Sequence, residues 1–185
     1  MDRREEALEA IQAAVDFYEL QKLGEVGSGV SSSQTAGLFN DLSLRLSDLS
    51  RREEALEIIQ QAVRIYYQLA GDLLVYPMQE LPLACRNLSI CLSAVGRGED
   101  ALEVAQEAVN LFRQITTTDR AVEFNAGLAR SLVTLSTAFQ NQDRPREALD
   151  AIQQSVGLFQ PLAVENPTEF NSDLAKSLSH LSSGN

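Results

Sequence analysis

The sequence predicts an all-α fold built from repeated helical hairpins, and three observations support that prediction. Helix-favouring Leu, Ala, Glu and Gln are abundant among the 185 residues, whereas aromatic residues make up only 6% and Trp is absent. One helix-like pattern, the B-type pattern, recurs four times along the chain. A second, A-type pattern alternates with it, so the two together predict about eight helices.

The B-type pattern begins with charged residues and continues with small apolar residues at fixed positions. Its copies occupy residues 4–15, 52–63, 98–109 and 146–156, and their first alanines are 48, 46 and 47 residues apart. In the second copy Ala55, Ile59 and Ala62 lie at positions i, i+4 and i+7. This spacing places the three side chains on one stripe of an amphipathic helix.

The A-type pattern is rich in Leu-Ser pairs, and its copies occupy residues 42–49, 88–95, 135–139 and 181–182. Only a few residues separate each A-type copy from the next B-type copy, which predicts that the two helices pack as an antiparallel hairpin. Pro77, Pro161 and Pro167 fall between a B-type copy and the next A-type copy. Helices are expected to end at these prolines.

We predict that all the repeats belong to a single domain, residues 1–185. Its predicted parts are the second helix of a repeat at 3–23, a Gly/Ser loop at 24–35, repeats at 36–71, 78–116 and 122–163, and the first helix of a partial repeat at 168–182. Ser50 followed by Glu53 predicts a capping box, and Asp143 with Pro145 suits another helix start. Such hairpins bury their apolar stripes only by stacking, which predicts a solenoid.

The alternating patterns resemble those of the tetratricopeptide repeat (TPR) family. In the second full repeat the matching residues are Cys85, Leu88, Ser89, Leu92, Gly96, Ala101, Ala105 and Ala108. Ser stands where the family usually has the Gly of its first helix, and the period exceeds the usual length of about 34 residues. The longer, Leu-Ser-rich form resembles fungal TPR arrays, some of which are attached to a nucleotide-binding module, and more loosely kinesin-light-chain repeats. This resemblance implies a TPR-like α-solenoid of about eight antiparallel helices in a right-handed superhelix.

The resemblance also implies a protein- or peptide-binding scaffold that presents a concave groove. In this family the A-type helices line the groove, which assigns partner contact to Asn40, Leu44, Arg86, Asn87, Ile90, Arg130, Val133, Thr137 and Lys176. The three cations in this set suit a carboxylate or an acidic peptide, with Asn87 donating to its backbone. Two alternatives stay open: that these are solvated helix residues, and that the convex face binds. Some family members hold a carboxylate with a clamp of Lys, Asn and Arg side chains. We do not expect this clamp here, because Leu44 replaces an expected Asn and Thr134 replaces an expected basic residue.

Composition argues against several other functions. The 26 acidic and 15 basic residues give a formal charge of −11, which disfavours binding to nucleic acid and to anionic membranes. Cys85 and Cys91 lie six residues apart and His180 is the lone histidine, so no Cys/His zinc site can form. Gly27 and Gly29 lie in a segment that superficially resembles a phosphate-binding loop, but the third Gly and the following Lys-Ser/Thr of such a loop are missing. We therefore predict no enzymatic activity, no catalytic residues, no cofactor and no metal.

Location and assembly are less directly encoded. The N-terminus lacks an apolar signal core and no apolar run approaches the length of a membrane span, which predicts a cytoplasmic protein. Besides an unidentified protein or peptide partner, a homo-oligomer formed through uncapped solenoid ends is possible, as is a fragment of a longer array. The alternative function is an oligomerisation or regulatory segment of a larger fungal NTPase-type signalling protein.

Overall fold

The computed structural model describes residues 32–72, 80–115 and 121–183, together with Glu9, Ala13 and Asp16. These residues form seven long α-helices and no strand, which confirms the all-α prediction. In chain order they are α1 (Ser32–Asp48), α2 (Arg52–Asp72), α3 (Glu80–Ala94), α4 (Gly98–Gln114), α5 (Ala121–Gln140), α6 (Pro145–Glu165) and α7 (Pro167–Ser183). The eighth predicted helix, 3–23, lies outside the described residues except at Glu9, Ala13 and Asp16, which are helical.

The helices belong to two compact units, Met1–Val95 and Gly96–Asn185. In unit 1 the A-type helix α1 packs on the B-type helix α2, and α2 packs in turn on the next A-type helix, α3. In unit 2 the B-type helix α6 packs on the A-type helices α5 and α7, and α4 packs on α5. Within each unit a B-type helix therefore lies between two A-type helices.

Two boundaries differ from the prediction. Helix α1 begins at Ser32, so residues 32–35 of the expected Gly/Ser loop 24–35 are helical, and Thr35 is already buried in that first turn. Pro161 was expected in a connection but lies inside α6, which continues to Glu165. Proline removes one hydrogen bond from a helix, but the burial of Leu162 and Ala163 favours its continuation. Pro167 begins α7, as a helix-terminal proline should.

A residue with left-handed backbone ends each of the first three A-type helices. The φ values are +60° at Ser50, +82° at Gly96 and +53° at Asp143. The next residue closes the turn: Arg51 N donates to Leu46 O at 2.9 Å, and Arg144 N donates to Phe139 O at 3.0 Å. This is the Schellman arrangement of a helix C-terminus. The predicted capping box at Ser50 and Glu53 is therefore wrong, because Ser50 terminates α1 instead of capping α2.

An arginine follows each left-handed residue and binds the carboxylate three positions later. The pairs are Arg51 with Glu54 at 2.7 Å, Arg97 with Asp100 at 2.6 Å and Arg144 with Glu147 at 2.9 Å. Hydrogen bonding to the arginines lowers the pKa of Glu54 and Glu147 below its usual range. Because these pairs are exposed, they contribute little stability and mainly order the helix start, where carboxylates are favoured.

Small residues dominate the buried surface between helices. The first B-type alanines in the described chain, Ala55, Ala101 and Ala148, are at most 2% exposed. One core cluster of unit 2 comprises Ala105, Val109, Leu132, Leu135, Ala138 and Ala151, and a second comprises Ala126, Ala129, Phe159, Leu162, Ala163 and Phe170. Short side chains let the helix axes approach closely, so added volume has few places to go.

Two glycines of unit 2 test this packing. A Cβ added at Gly127 in α5 would lie 2.5 Å from the Phe112 ring, whereas one added at Gly157 in α6 would meet nothing within 4 Å. We expect Gly127→Ala to lower the free energy of unfolding by about 1–3 kcal/mol, since Phe112 must move. Gly157→Ala should raise it by about 0.5–1 kcal/mol through helix propensity. Urea denaturation followed by circular dichroism measures both, and equal effects would contradict the packing described.

Candidate protein-binding faces

Unit 1 brings together five of the residues predicted to bind a partner: Asn40, Leu44, Arg86, Asn87 and Ile90. They lie on the A-type helices α1 and α3, which contact each other. Leu44 and Ile90 each follow a Leu-Ser pair by one residue and so occupy equivalent positions. Their side chains are 41% and 44% exposed, although both are large and apolar. We call these five residues the unit 1 face.

Hydrogen bonds between α1 and α3 organise the polar part of the unit 1 face. Asn87 Nδ2 donates to Asn40 Oδ1 at 2.8 Å, and Arg86 Nη2 donates to Asn87 Oδ1 at 2.9 Å. Asn87 is only 4% exposed. Both ends of its amide are engaged within the protein, so Asn87 joins the two helices and orients the half-buried Arg86 guanidinium.

Unit 2 carries the remaining predicted residues: Arg130, Val133 and Thr137 on α5 and Lys176 on α7. We call these four residues the unit 2 face. Arg130 Nε and Nη2 donate to Asp173 Oδ2 at 2.9 and 2.6 Å, in a pair whose side chains are 38% and 21% exposed. The Thr137 hydroxyl donates to the Val133 carbonyl in its own helix. Asp173 therefore offsets the charge of Arg130, and Lys176 is the exposed cation among these four.

Asp173 was missed by the sequence analysis. It lies 43 residues after Arg130, one helical turn short of the repeat period, so comparison of equivalent positions does not pair the two. A search for opposite charges one turn off the period would have found it. Asn40 and Asn87 were both predicted to bind a partner, and their separation of 47 residues is close to the repeat period, yet the sequence did not indicate that they bond to each other.

Buried serines explain why this chain uses Ser where the family usually has Gly. Ser43, Ser89 and Ser136 are at most 1% exposed, and Ser136 Oγ donates to Ala148 O of the following B-type helix at 2.8 Å. Ser155 in α6 similarly donates to Ala129 O in α5 at 2.9 Å and lies 3.2 Å from the Ser177 hydroxyl of α7. The hydroxyls of Ser136 and Ser155 therefore fit a close helix contact and bond to a carbonyl of the adjoining helix.

The described residues offer little to catalytic chemistry. Cys85 and Cys91 are free and buried, and burial raises the pKa of the Cys91 thiol, which makes it a poor nucleophile. Across the described ranges no three or more His, Cys, Asp or Glu side chains are grouped so that they could hold a metal ion. None of the helices in the described part of the chain has the length and apolarity to cross a membrane.

The Asn40–Asn87 hydrogen bond has a measurable consequence for stability. Asn87→Ala removes a buried amide and leaves Asn40 without its partner, so we expect a loss of about 1–2 kcal/mol in the free energy of unfolding. Thr134→Ala is the matched control: it occupies the equivalent position in α5, and its hydroxyl bonds only to its own helix. The control should change stability by less than about 0.5 kcal/mol. Equal urea midpoints for the two variants would contradict this role.

The buried thiols should react slowly. In the folded protein, alkylation of Cys91 by iodoacetamide should be much slower than in urea, because burial raises the thiol pKa and the thiolate is the nucleophile. Its rate should keep rising at pH values where exposed thiols level off. Since the folded-state pKa is raised, burial of the neutral thiol stabilises the fold below the ordinary thiol pKa of about 8.5, and this contribution is lost as the pH rises above it. Equal rates in folded and unfolded protein, followed by mass spectrometry, would refute the assignment.

Comparison with known proteins identifies the repeat. The model of the tetratricopeptide repeat family matches residues 35–72, which cover most of α1 and all of α2. No curated protein sequence matches the chain. The solved structures compared below share 13–17% sequence identity with the chain, so they establish the fold and not the activity.

Three such structures are similar over most of the chain. A Podosopora anserina protein described as a kinesin light chain with nearly identical TPR-like repeats has 17% identity and a TM-score of 0.66, covering 98% of this chain and 77% of its own. BtubC (BKLC) from P. vanneervenii has 13% identity and a TM-score of 0.62, with 88% and 59% covered. Aspartyl phosphate phosphatase F from Bacillus subtilis has 16% identity and a TM-score of 0.60, with 98% and 48% covered. The repeat matched at residues 35–72 and the TPR-like fold of these structures confirm the resemblance to the tetratricopeptide repeat family.

Proposed function

We propose that this chain is a protein-interaction scaffold whose A-type helices bind a protein or peptide partner. The observation that carries the proposal is the exposure of Leu44 and Ile90, at equivalent positions of two neighbouring A-type helices. In α1 the large apolar residues Phe39, Leu42 and Leu46 are buried, unlike Leu44. Two apolar side chains left exposed by adjacent repeats provide anchor points for a partner.

The chemistry of the unit 1 face suggests what the partner presents. Leu44 and Ile90 suit apolar side chains, and the half-buried guanidinium of Arg86 beside them suits a carboxylate or a backbone carbonyl. Asn87 supports Arg86 instead of contacting the partner directly. The hydrogen bond between Asn40 and Asn87 pre-organises the face, which reduces the entropy lost on binding.

The unit 2 face provides a different surface. Its arginine is paired with Asp173, and Val133 and Thr137 are partly buried, so exposed apolar surface is smaller than on unit 1. Lys176 is exposed and supplies a positive charge at the surface. We therefore propose that the unit 1 face provides the main contact and that the unit 2 face contributes charge.

The alternative function, an oligomerisation or regulatory segment of a larger fungal NTPase-type signalling protein, would use the same faces. A partner segment found within the same polypeptide as the repeats would favour it. The cytoplasmic location remains a prediction from the sequence.

Peptides selected from a displayed random library against the full chain provide the probe. We expect selected peptides to carry apolar residues, and Leu44→Asp or Ile90→Asp to weaken their binding by roughly tenfold or more each, since each change removes an apolar anchor. Val164→Asp is the matched control, because Val164 is 83% exposed but lies at the end of the B-type helix α6. Fluorescence anisotropy measures the affinities. Binding that survives both face variants, or that the control weakens equally, would exclude this face.

Charge reversal tests the contribution of the cations. Arg86→Glu combined with Arg130→Glu should weaken binding of acidic peptides, and the loss should shrink as salt is added because the interaction is partly screened. Arg86→Glu alone should retain most of this loss, since Arg130 is already paired with Asp173. If the double variant bound acidic peptides as well as the original chain, the cations would have no role in recognition.

A further inference from the structure

Two contacts between the A-type helices α1 and α3 fix the direction in which the helices run. Asn87 lies 47 residues after Asn40 and donates to it at 2.8 Å. Cys91 lies 44 residues after Ser47, and 3.8 Å separates its thiol sulfur from the Ser47 hydroxyl. The residue numbers of both partners increase from the first contact to the second, so α1 and α3 run parallel to each other.

Leu44 and Ile90, the exposed apolar residues of the unit 1 face, therefore lie level with each other. Ile90 follows Leu44 by 46 residues, a separation between those of the two contacts. The distance between the two side chains is then set by the spacing of the helix axes, which is about 8–10 Å for packed helices. A partner segment that contacts both must present two apolar side chains at this spacing on one side of its backbone.

The regular backbone conformations differ in whether they can meet this requirement. On one side of a β-strand, side chains recur at about 7 and 13 Å, below and above the required range. In a polyproline II helix every third side chain lies on the same side, about 9 Å further along. An α-helix places neighbours about 5–6 Å apart and approaches the range only at about 10.5 Å, between residues seven positions apart. The spacing therefore excludes a strand and fits polyproline II best.

The polar groups beside Leu44 and Ile90 separate polyproline II from the α-helix. The Asn40 carbonyl oxygen Oδ1 accepts from Asn87, so the amide nitrogen Nδ2 points its hydrogens elsewhere, and within the described residues no acceptor bonds to it. The Arg86 guanidinium adds positive charge to the same face. Hydrogen-bond donors and positive charge are complementary to carbonyl oxygens. Those of a polyproline II segment have no internal hydrogen bonds, whereas those of an α-helix are already paired.

We propose that the unit 1 face binds a partner segment in the polyproline II conformation, with apolar side chains three positions apart. One apolar side chain contacts Leu44 and the other contacts Ile90, while a backbone carbonyl accepts from Asn40. Such a segment is already extended before it binds, so it loses little conformational entropy in the complex. This inference rests on the proposed function, because both place the partner on the unit 1 face.

Two fluorescent synthetic peptides of equal composition test the spacing. Pro-Pro-Leu-Pro-Pro-Leu-Pro-Pro, the three-apart peptide, has its leucines on one side of a polyproline II helix; Pro-Pro-Leu-Pro-Leu-Pro-Pro-Pro has them on different sides. Fluorescence anisotropy with the full chain should show at least about tenfold tighter binding of the three-apart peptide, because only it reaches both apolar residues together. Equal affinities, or no binding of the three-apart peptide, would overturn the proposal.

A third peptide represents the α-helical alternative. It is an alanine-based helix of about 20 residues with two leucines seven positions apart, and it should bind more weakly than the three-apart peptide. Tighter binding of the helix would refute the polyproline II conformation. If the library-selected peptides depend on Leu44 and Ile90 while the three-apart peptide does not bind, the proposed function stands and the conformation assigned to the partner is wrong. Library peptides that are indifferent to both residues would instead count against the proposed function itself.

Variants of the full chain locate the contact of the three-apart peptide. Leu44→Asp and Ile90→Asp should each weaken its binding by roughly tenfold or more, because each removes an apolar contact. Val164→Asp should leave its binding unchanged, since Val164 lies on the B-type helix α6. Binding that survives both Leu44→Asp and Ile90→Asp would place the peptide elsewhere and contradict the proposal.

Asn40→Asp tests the donated hydrogen bond separately from the fold. It keeps an oxygen that accepts from Asn87 and loses the donating amide, so the urea midpoint should stay the same while binding of the three-apart peptide weakens by about three- to tenfold. Asn125→Asp is the matched control: it adds the same charge at an exposed position of α5 and should change neither quantity. Unchanged binding by Asn40→Asp would overturn the proposal, because this donor separates polyproline II from the α-helix.

Discussion

Close contact between the small residues of neighbouring helices is the constraint on which this structure depends. The B-type helices α2 and α6 each approach two A-type helices, and Ala55, Ala148 and Ser155 keep their contact stripes narrow. A serine hydroxyl in this contact can bond to an acceptor on the neighbouring helix. Ser136 and Ser155 each do so on a carbonyl of the adjoining helix. The arrangement therefore gains directional hydrogen bonds that a purely apolar stripe lacks.

The turn from an A-type to a B-type helix is a second fixed element, and it tolerates different residues. A left-handed residue is needed to reverse the chain within three positions, and Gly is the usual choice because it has no Cβ. Here Ser50 and Asp143 adopt that conformation alongside Gly96, at some cost in backbone energy. The following arginine, paired with a carboxylate three residues later, helps to order each turn. The charged residues at the repeat boundaries are therefore explained by the geometry of the turns.

Repeat-level features were predictable from sequence, whereas contacts between repeats were not. The alternation of patterns gave the helices, their order and the buried alanine stripe, because these depend on local periodicity. Pro161 was misplaced because the burial of Leu162 and Ala163 outweighs a local helix-breaking preference. Pairs such as Arg130 with Asp173 depend on how far one helix slides along another. No pattern within a single repeat encodes that offset, so the residues of the candidate faces could be proposed from the sequence but the pairing of Arg130 could not.

Each A-type helix has two surfaces with different requirements, and the chain separates them. One surface packs against neighbouring helices. Its equivalent positions hold Phe39, Cys85 and Leu132, which differ in type but are all buried. The other surface faces outward. Its equivalent positions hold Leu44 in α1, Ile90 in α3 and Thr137 in α5. Stacking needs the same shape in every repeat, whereas recognition needs differences between repeats. Variation at the outward positions, set against near-constant burial at the stacking positions, is what a binding scaffold requires.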